Sequence, residues 1–170
     1  GALTTWITAN LPVGGFVGAI TKTDGTLWTW GNNSYGQLGL NDTVSRSSPS
    51  QVGSLTNWLK VEANQYYVLA IKTDGTLWTW GGNTYGQLGT NDAISRSTPV
   101  QINSLSYNAV SCGASFTAAI RGDGTLWMWG IGTNGVLGQG TAAAYSSPVQ
   151  VLSSSFTQVD CGGLNAAAIT

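Results

Sequence analysis

The sequence predicts an all-β chain in which a four-stranded unit recurs about three and a half times. Three observations predict it. The phrase TDGTLWTWG stands at residues 23–31, again letter for letter at 73–81, and returns as GDGTLWMWG at 122–130. Charged residues make up 8% of the chain, against about a quarter in an average soluble domain, and Gly, Ser, Thr and Asn take their place. The 8 Trp and 6 Tyr among these small polar residues suit strands and tight turns, whereas helices would lack charged outer faces.

Each element of the unit can be justified in turn. An apolar run ending in Ala19-Ile20, Ala70-Ile71 or Ala119-Ile120 leads into an Asp-Gly pair at Asp24, Asp74 or Asp123, and a second apolar run follows. Two apolar runs around Asp-Gly make a hairpin. In Thr76-Leu77-Trp78-Thr79-Trp80 the two-residue period of a strand puts both Trp on one face and Leu77 and Thr79 on the other. Bulk on both faces predicts a strand covered on both sides. The next block reads NNSYGQLG at 32–39, GNTYGQLG at 82–89 and IGTNGVLG at 131–138. It is too rich in glycine for a helix and predicts a turn with left-handed positions. SRSSPSQV, SRSTPVQI and AYSSPVQV (45–52, 95–102, 145–152) supply a third strand. GALTTWITAN, GSLTNWLKVEAN, NSLSYNAVSCG and SSSFTQVDCG (1–10, 53–64, 103–113, 154–163) supply a fourth. The units run over about 1–52, 53–102 and 103–152, with a partial unit at 153–170.

Four-stranded units recurring at this interval predict the blades of a β-propeller. Such a blade has two apolar faces and cannot bury both alone, so blades must stack. An open β-solenoid of the same units is the alternative. DGTLWTWGNNSYGQLG and DGTLWTWGGNTYGQLG, with DGTLWMWGIGTNGVLG, carry a resemblance to the repeats of the regulator of chromosome condensation family over essentially the whole chain. The resemblance implies a propeller of seven blades. It also implies relatives that bind protein through loops on a rigid ring, among them a nuclear exchange factor and secreted inhibitors, with similar sequences in bacteria and phages. The exchange factor works through a wedge inserted in its propeller, and the even repeats here hold no long insertion. Guanine-nucleotide exchange on a small GTPase is therefore the disfavoured reading. The chain opens inside one unit at GALTTW and stops at AAAIT, where an Asp-Gly turn is due. The remaining blades are expected from further chain or from another subunit.

The charged and reactive residues exclude several classes of function. Net charge is −1, and the basic residues Lys22, Arg46, Lys60, Lys72, Arg96 and Arg121 are scattered, whereas nucleic-acid binding needs a clustered basic stripe. No apolar run approaches a membrane span. The chain has no His, which removes the commonest general base and transition-metal ligand. Asp24, Asp74 and Asp123 are expected to bond their own turn backbone rather than to form a site. Asn41-Asp42 and Asn91-Asp92, each four residues before Arg46 or Arg96, resemble loose calcium loops, but an Asp–Arg pair bracing each loop accounts for them. Cys112 and Cys161 hold equivalent places in neighbouring units and are expected as buried free thiols. No cofactor and no metal is expected, nor an enzyme, which would need convergent carboxylates or a metal.

Candidate partner-binding positions are those that break the repeat, because loops on a rigid scaffold carry specificity. ANQYYV at 63–68 has no Tyr-Tyr counterpart where GASF and GGLN stand, which singles out Asn64, Gln65, Tyr66 and Tyr67, with Ser115 and Phe116 at the matching place. Tyr145 after Ala142-Ala143-Ala144, Ile131, and Leu11-Pro12-Val13 break the pattern too. The paired Trp recur too strictly for a ligand platform and are expected in the core. The function expected is a non-catalytic protein-binding or structural scaffold, on a virus particle or cell surface given the low charge. A secreted inhibitor that plugs an enzyme with one propeller face is the alternative.

Overall fold

A computed structural model describes residues 6–10, 17–152 and 155–170; Leu11, Pro12 and Val13 lie outside the described residues. Strands β1 (Trp6–Asn10), β2 (Val17–Lys22), β3 (Leu27–Gly31) and β4 (Arg46–Gln51) pair antiparallel in chain order as the first blade. The second blade is β5 (Trp58–Ala63), β6 (Tyr67–Lys72), β7 (Thr76–Gly81) and the first part of a long strand, β8 (Arg96–Cys112). β8 pairs with β7 from Arg96 to Ser106, then with β9 (Phe116–Arg121) from Tyr107 to Cys112. The outer strand of one blade thus runs straight into the inner strand of the next. β10 (Leu126–Gly130) and β11 (Tyr145–Leu152) complete the third blade, and β12 (Gln158–Cys161) and β13 (Ala166–Ile169) pair as the start of a fourth. The first strands of successive blades pack against one another, which sets them at the inside of the fan.

Strand alternation decides which neighbour each blade meets. On β6, Val68 and Ala70 face the first blade and share a core with Val17, Ala19, Leu27, Leu38 and Val52. Tyr67, Leu69 and Ile71 face the third blade and share a core with Tyr107, Val110, Ala119 and Trp129. The sheet is therefore apolar on both sides, and neither face can be buried without a second blade.

The repeated phrase supplies the lock between blades. Trp80 is fully buried and its indole N–H donates to the Gln37 carbonyl at 3.0 Å; Trp129 donates likewise to Gln87 at 2.9 Å. Gln37 and Gln87 belong to the YGQLG turns of the preceding blade. A Cβ on Gly39 would lie 2.8 Å from the Trp80 indole nitrogen, so that turn must end in glycine for the ring to lie on it. In the second and third phrases the second Trp is thus a plug and the turn of the blade before it is the socket, whereas Trp30 of the first phrase is only half-buried.

The first Trp of the phrase behaves differently and corrects the expectation that all the paired Trp are core. Trp28, Trp78 and Trp127 are only half-buried. Each donates its N–H to the Thr two residues before it, at 2.9, 3.0 and 2.7 Å, and that Thr hydroxyl in turn donates to the turn aspartate. The Lys22 and Lys72 ammonium groups and the Arg121 guanidinium rest on these rings, 4.0, 3.5 and 3.3 Å from the centroids. Desolvation lowers the pKa of Lys72, which lies buried there.

The bonds from Thr26, Thr76 and Thr125 hold the carboxyls of Asp24, Asp74 and Asp123 below their ordinary 3.8. A carboxyl depressed by folding stabilises the fold above its unfolded pKa, and that contribution is lost as pH falls through the folded value. The melting temperature should accordingly drop as pH is taken from neutral to well below 3.8. Asp74→Asn should show a shallower drop over the same range; an equal slope would remove these turns from the account.

Candidate functional site

The loops at one end of the blades form the candidate site. Gln37 holds two of them together: its side-chain amide donates to Asn32 Oδ1 at 2.8 Å and to the Gln65 carbonyl, in the next blade, at 3.1 Å. Gly82 N–H donates to the Tyr66 carbonyl and Ile131 N–H to the Ser115 carbonyl, at 2.8 and 2.9 Å. Asn64 Nδ2 donates to the Gly113 carbonyl at 2.6 Å, and Ala114 N–H to the Gly163 carbonyl at 3.2 Å. The end of the fan is therefore a continuous, cross-braced surface from the first blade to the start of the fourth.

The seven candidate positions fall into two groups. Gln65 is exposed, and Tyr66 and Ser115 are half-buried on this surface. The Tyr66 ring meets Tyr35 edge-on, with centroids 5.7 Å apart. Tyr67 and Phe116 must be corrected: they are 0% and 1% exposed and present nothing to a partner. Each begins an alternating strand, YVLAIK or FTAAIR, and its first ring points between blades. Tyr67 Oη donates to the Phe116 carbonyl, which ties the second blade to the third; burial raises its pKa well above the usual phenol value. Asn64 is likewise structural, since its Oδ1 accepts the N–H groups of Tyr66 and Tyr67 at 2.7 and 3.0 Å. Tyr145 is half-buried and packs against the cores on both sides of the third blade.

Two exposed aromatics on this surface are part of the repeat and so do not stand out as irregular positions. Tyr35 and Tyr85, the tyrosines of SYGQLG and TYGQLG, are 47% and 48% exposed. The side-chain carbonyls of Gln37 and Gln87 accept their backbone N–H groups at 2.8 and 2.9 Å, which fixes both at the tips of rigid turns. The third turn has Asn134, at φ 59°, and Val136 where the others have Tyr and Gln, and so lacks both ring and brace. The turns 32–37, 82–87 and 131–136 and the loops 64–66 and 113–116 contain no charged residue.

The charges are committed elsewhere. Arg46 and Arg96 pair with Asp42 and Asp92 at 2.6 Å, and each aspartate also accepts from a buried asparagine, Asn33 or Asn83. The third loop has lost the knot as a unit, with Gly132, Thr141 and Tyr145 at the matching places. Lys60 Nζ donates to the Asn108 carbonyl at 2.9 Å. With Lys22, Lys72 and Arg121 on their rings, every basic side chain has a local partner. Cys112 and Cys161 are free and half-buried; burial pushes the Cys112 thiol well up and the Cys161 thiol to about 12, so both are protonated at neutral pH. Among the described residues no three His, Cys, Asp or Glu side chains converge as a metal site, and no helix is long and apolar enough to cross a membrane.

The regulator of chromosome condensation (RCC1) repeat matches residues 24–71, 74–120 and 123–169. The chain belongs to the RCC1 repeat family. Each matched repeat starts at a DG turn and ends in the second strand of the following blade, so it spans the plug-and-socket junction rather than one blade. Prp20p from Saccharomyces cerevisiae, described with its binding to Gsp1p and histones, shares this fold at TM-score 0.80 and 20% identity, over 91% of this chain and 42% of that one. Human WBSCR16 aligns at TM-score 0.70 and 17% identity, over 99% and 58%. The ectodomain of the Physcomitrella patens receptor kinase CR4 aligns at 0.62 and 13%, over 99% and 39%. No curated protein gives a significant sequence match. The RCC1-type chain described here thus spans about two-fifths to three-fifths of the length of these solved relatives.

Proposed function

We propose that this RCC1-type propeller chain belongs to a non-catalytic protein-binding scaffold, and that the surface built around Tyr35, Gln65 and Tyr66 contacts the partner. The Tyr35–Tyr66 pair carries the reading. It is a paired, partly exposed aromatic feature in a charge-free setting, held by Gln37 across two blades. Tyrosine gives large contact area at small entropic cost and is enriched among residues that dominate binding energy. The three strand-to-strand loops 32–45, 82–95 and 131–144 are equal in length, with no protruding wedge, which favours a scaffold over an exchange factor. The low charge and the Ser, Thr and Asn content favour a place outside the cell or on a particle surface.

The test is capture of partners from the source material, followed by affinity measurement on the partner identified. Tyr35→Ala and Tyr66→Ala should each weaken binding by about thirtyfold, the scale of a hot-spot tyrosine, and leave the melting temperature nearly unchanged. Affinities that survive both substitutions would remove this surface from the reading.

A further inference from the structure

A cleft of about 370 Å³ opens between the first and second blades, bordered by Gly39, Leu40 and Asn41 where the first YGQLG turn ends. Its floor is apolar: Trp58 and Trp78, with Val52 and Leu55 beside them. The two indoles meet edge-on at 6.0 Å, and the Lys72 ammonium on Trp78 helps to fix them. Three uncharged polar side chains stand around this floor, Asn41, Gln51 and Thr98, and none of them is engaged in a hydrogen bond within the described residues. The buried indole N–H of Trp58 is also without a partner. A mostly apolar hollow of this size with a few convergent polar groups is the usual form of a small-molecule site.

The next junction is built differently at the same place. There Tyr107 takes the place of Trp58, and its Oη accepts a hydrogen bond from Asn103 Nδ2 at 2.9 Å. Gln101, the counterpart of Gln51, donates to the Asn103 carbonyl at 2.7 Å. The Asn103 side chain thus lies on the Tyr107 ring hydroxyl, and its main-chain carbonyl holds Gln101. At the first junction Gly53 stands in place of Asn103, in the left-handed region at φ 59°, and a Cβ there would meet open space. The first junction thus lacks the side chain that occupies this place at the second, and Gly53 leaves the space beside Gln51 and Trp58 open.

We propose that this cleft binds a neutral pyranose sugar. No charged residue lines it, so the ligand need carry no charge. Carboxamides and a threonine hydroxyl both donate and accept, which matches hydroxyl groups better than a carbonyl or an amine alone. The indole floor requires an apolar face, which the C–H face of a pyranose ring provides.

The test is a titration of the full chain with methyl glucoside, methyl galactoside and N-acetylglucosamine, followed through the indole N–H NMR signals. At least one sugar should give saturable shifts of Trp58 and Trp78 at about millimolar concentration. Gly53→Asn should weaken that binding about tenfold or more and keep the wild-type melting temperature, because asparagine accepts a left-handed conformation. Gln51→Ala should also weaken it, and serves if the first variant fails to fold. No saturable shift with any of the three sugars would overturn the proposal. So would shifts that survive both substitutions, saturation by toluene but by no sugar, or shifts of the same signals with protein concentration alone, which would make the cleft an interface between copies.

Discussion

Trp129→Ala will cost about 3–5 kcal/mol of folding stability, the scale of emptying a buried aromatic site. Trp129 is fully buried between two blades, and its N–H is bonded to the Gln87 carbonyl, which also accepts from Thr117 Oγ1 at 2.8 Å. Alanine would leave both a cavity and a weakened anchor for the YGQLG turn. Trp80→Ala should behave alike, since its N–H meets Gln37 in the same way. Trp127→Ala serves as the internal control. It removes a half-buried ring that holds Arg121 by a cation–π contact, and should cost about 1 kcal/mol. Urea unfolding of the three variants checks this, and equal losses for Trp127 and Trp129 would refute the division into plug and surface stack.

Gly89→Ala should be the next most damaging change, at about 2–5 kcal/mol. Two costs add. Gly89 sits at φ 75°, where an L side chain loses about 1–2 kcal/mol. Its new Cβ would also stand 2.6 Å from the Trp129 indole nitrogen, and overpacking of a tight site costs about 1–3 kcal/mol. Gly140→Ala separates the two. That glycine has φ 70° but nothing within 4 Å of its Cβ position, so only the backbone cost of about 1–2 kcal/mol should appear. Thermal melts of both variants decide the matter; equal shifts would mean that the indole does not press on Gly89.

The repeat made the blades legible, because the hairpin, the Asp-Gly turn and the two-residue alternation are all local features. It could not distinguish Trp78 from Trp80. Both lie on one strand face, and only the neighbouring blade decides that Trp80 is plugged into a turn while Trp78 stays half-buried beneath a lysine. Tyr66 and Tyr67 pose the same problem at closer range. Tyr66 ends the loop and Tyr67 begins the strand, and the match of Tyr67 with Phe116 at the head of equivalent strands was the signal that Tyr67 is core. Tyr35 and Tyr85 are not legible as surface residues because they obey the repeat rather than break it. Their exposure follows from the tight turn at Gly36 and Gly86, whose Cβ positions would press on Ser97 and Ser146 of the next blade. The knot of Asn33, Asp42 and Arg46 was half legible: the Asp–Arg spacing predicted the pair, but the buried asparagine from nine residues earlier was not foreseen.

The central claim is that the second and third blades are each locked to the blade before by an indole set in a YGQLG turn, which leaves the loop surface braced and free to bind. Hydrogen–deuterium exchange of the indole N–H groups tests it most directly. Trp80 and Trp129 should exchange as slowly as the core strand amides, because release requires the blades to part. Trp28, Trp78 and Trp127, bonded to threonine hydroxyls near the surface, should exchange far sooner. If all five exchange together and fast, the tryptophans do not lock the blades, and the account of a rigid fan carrying a binding surface fails.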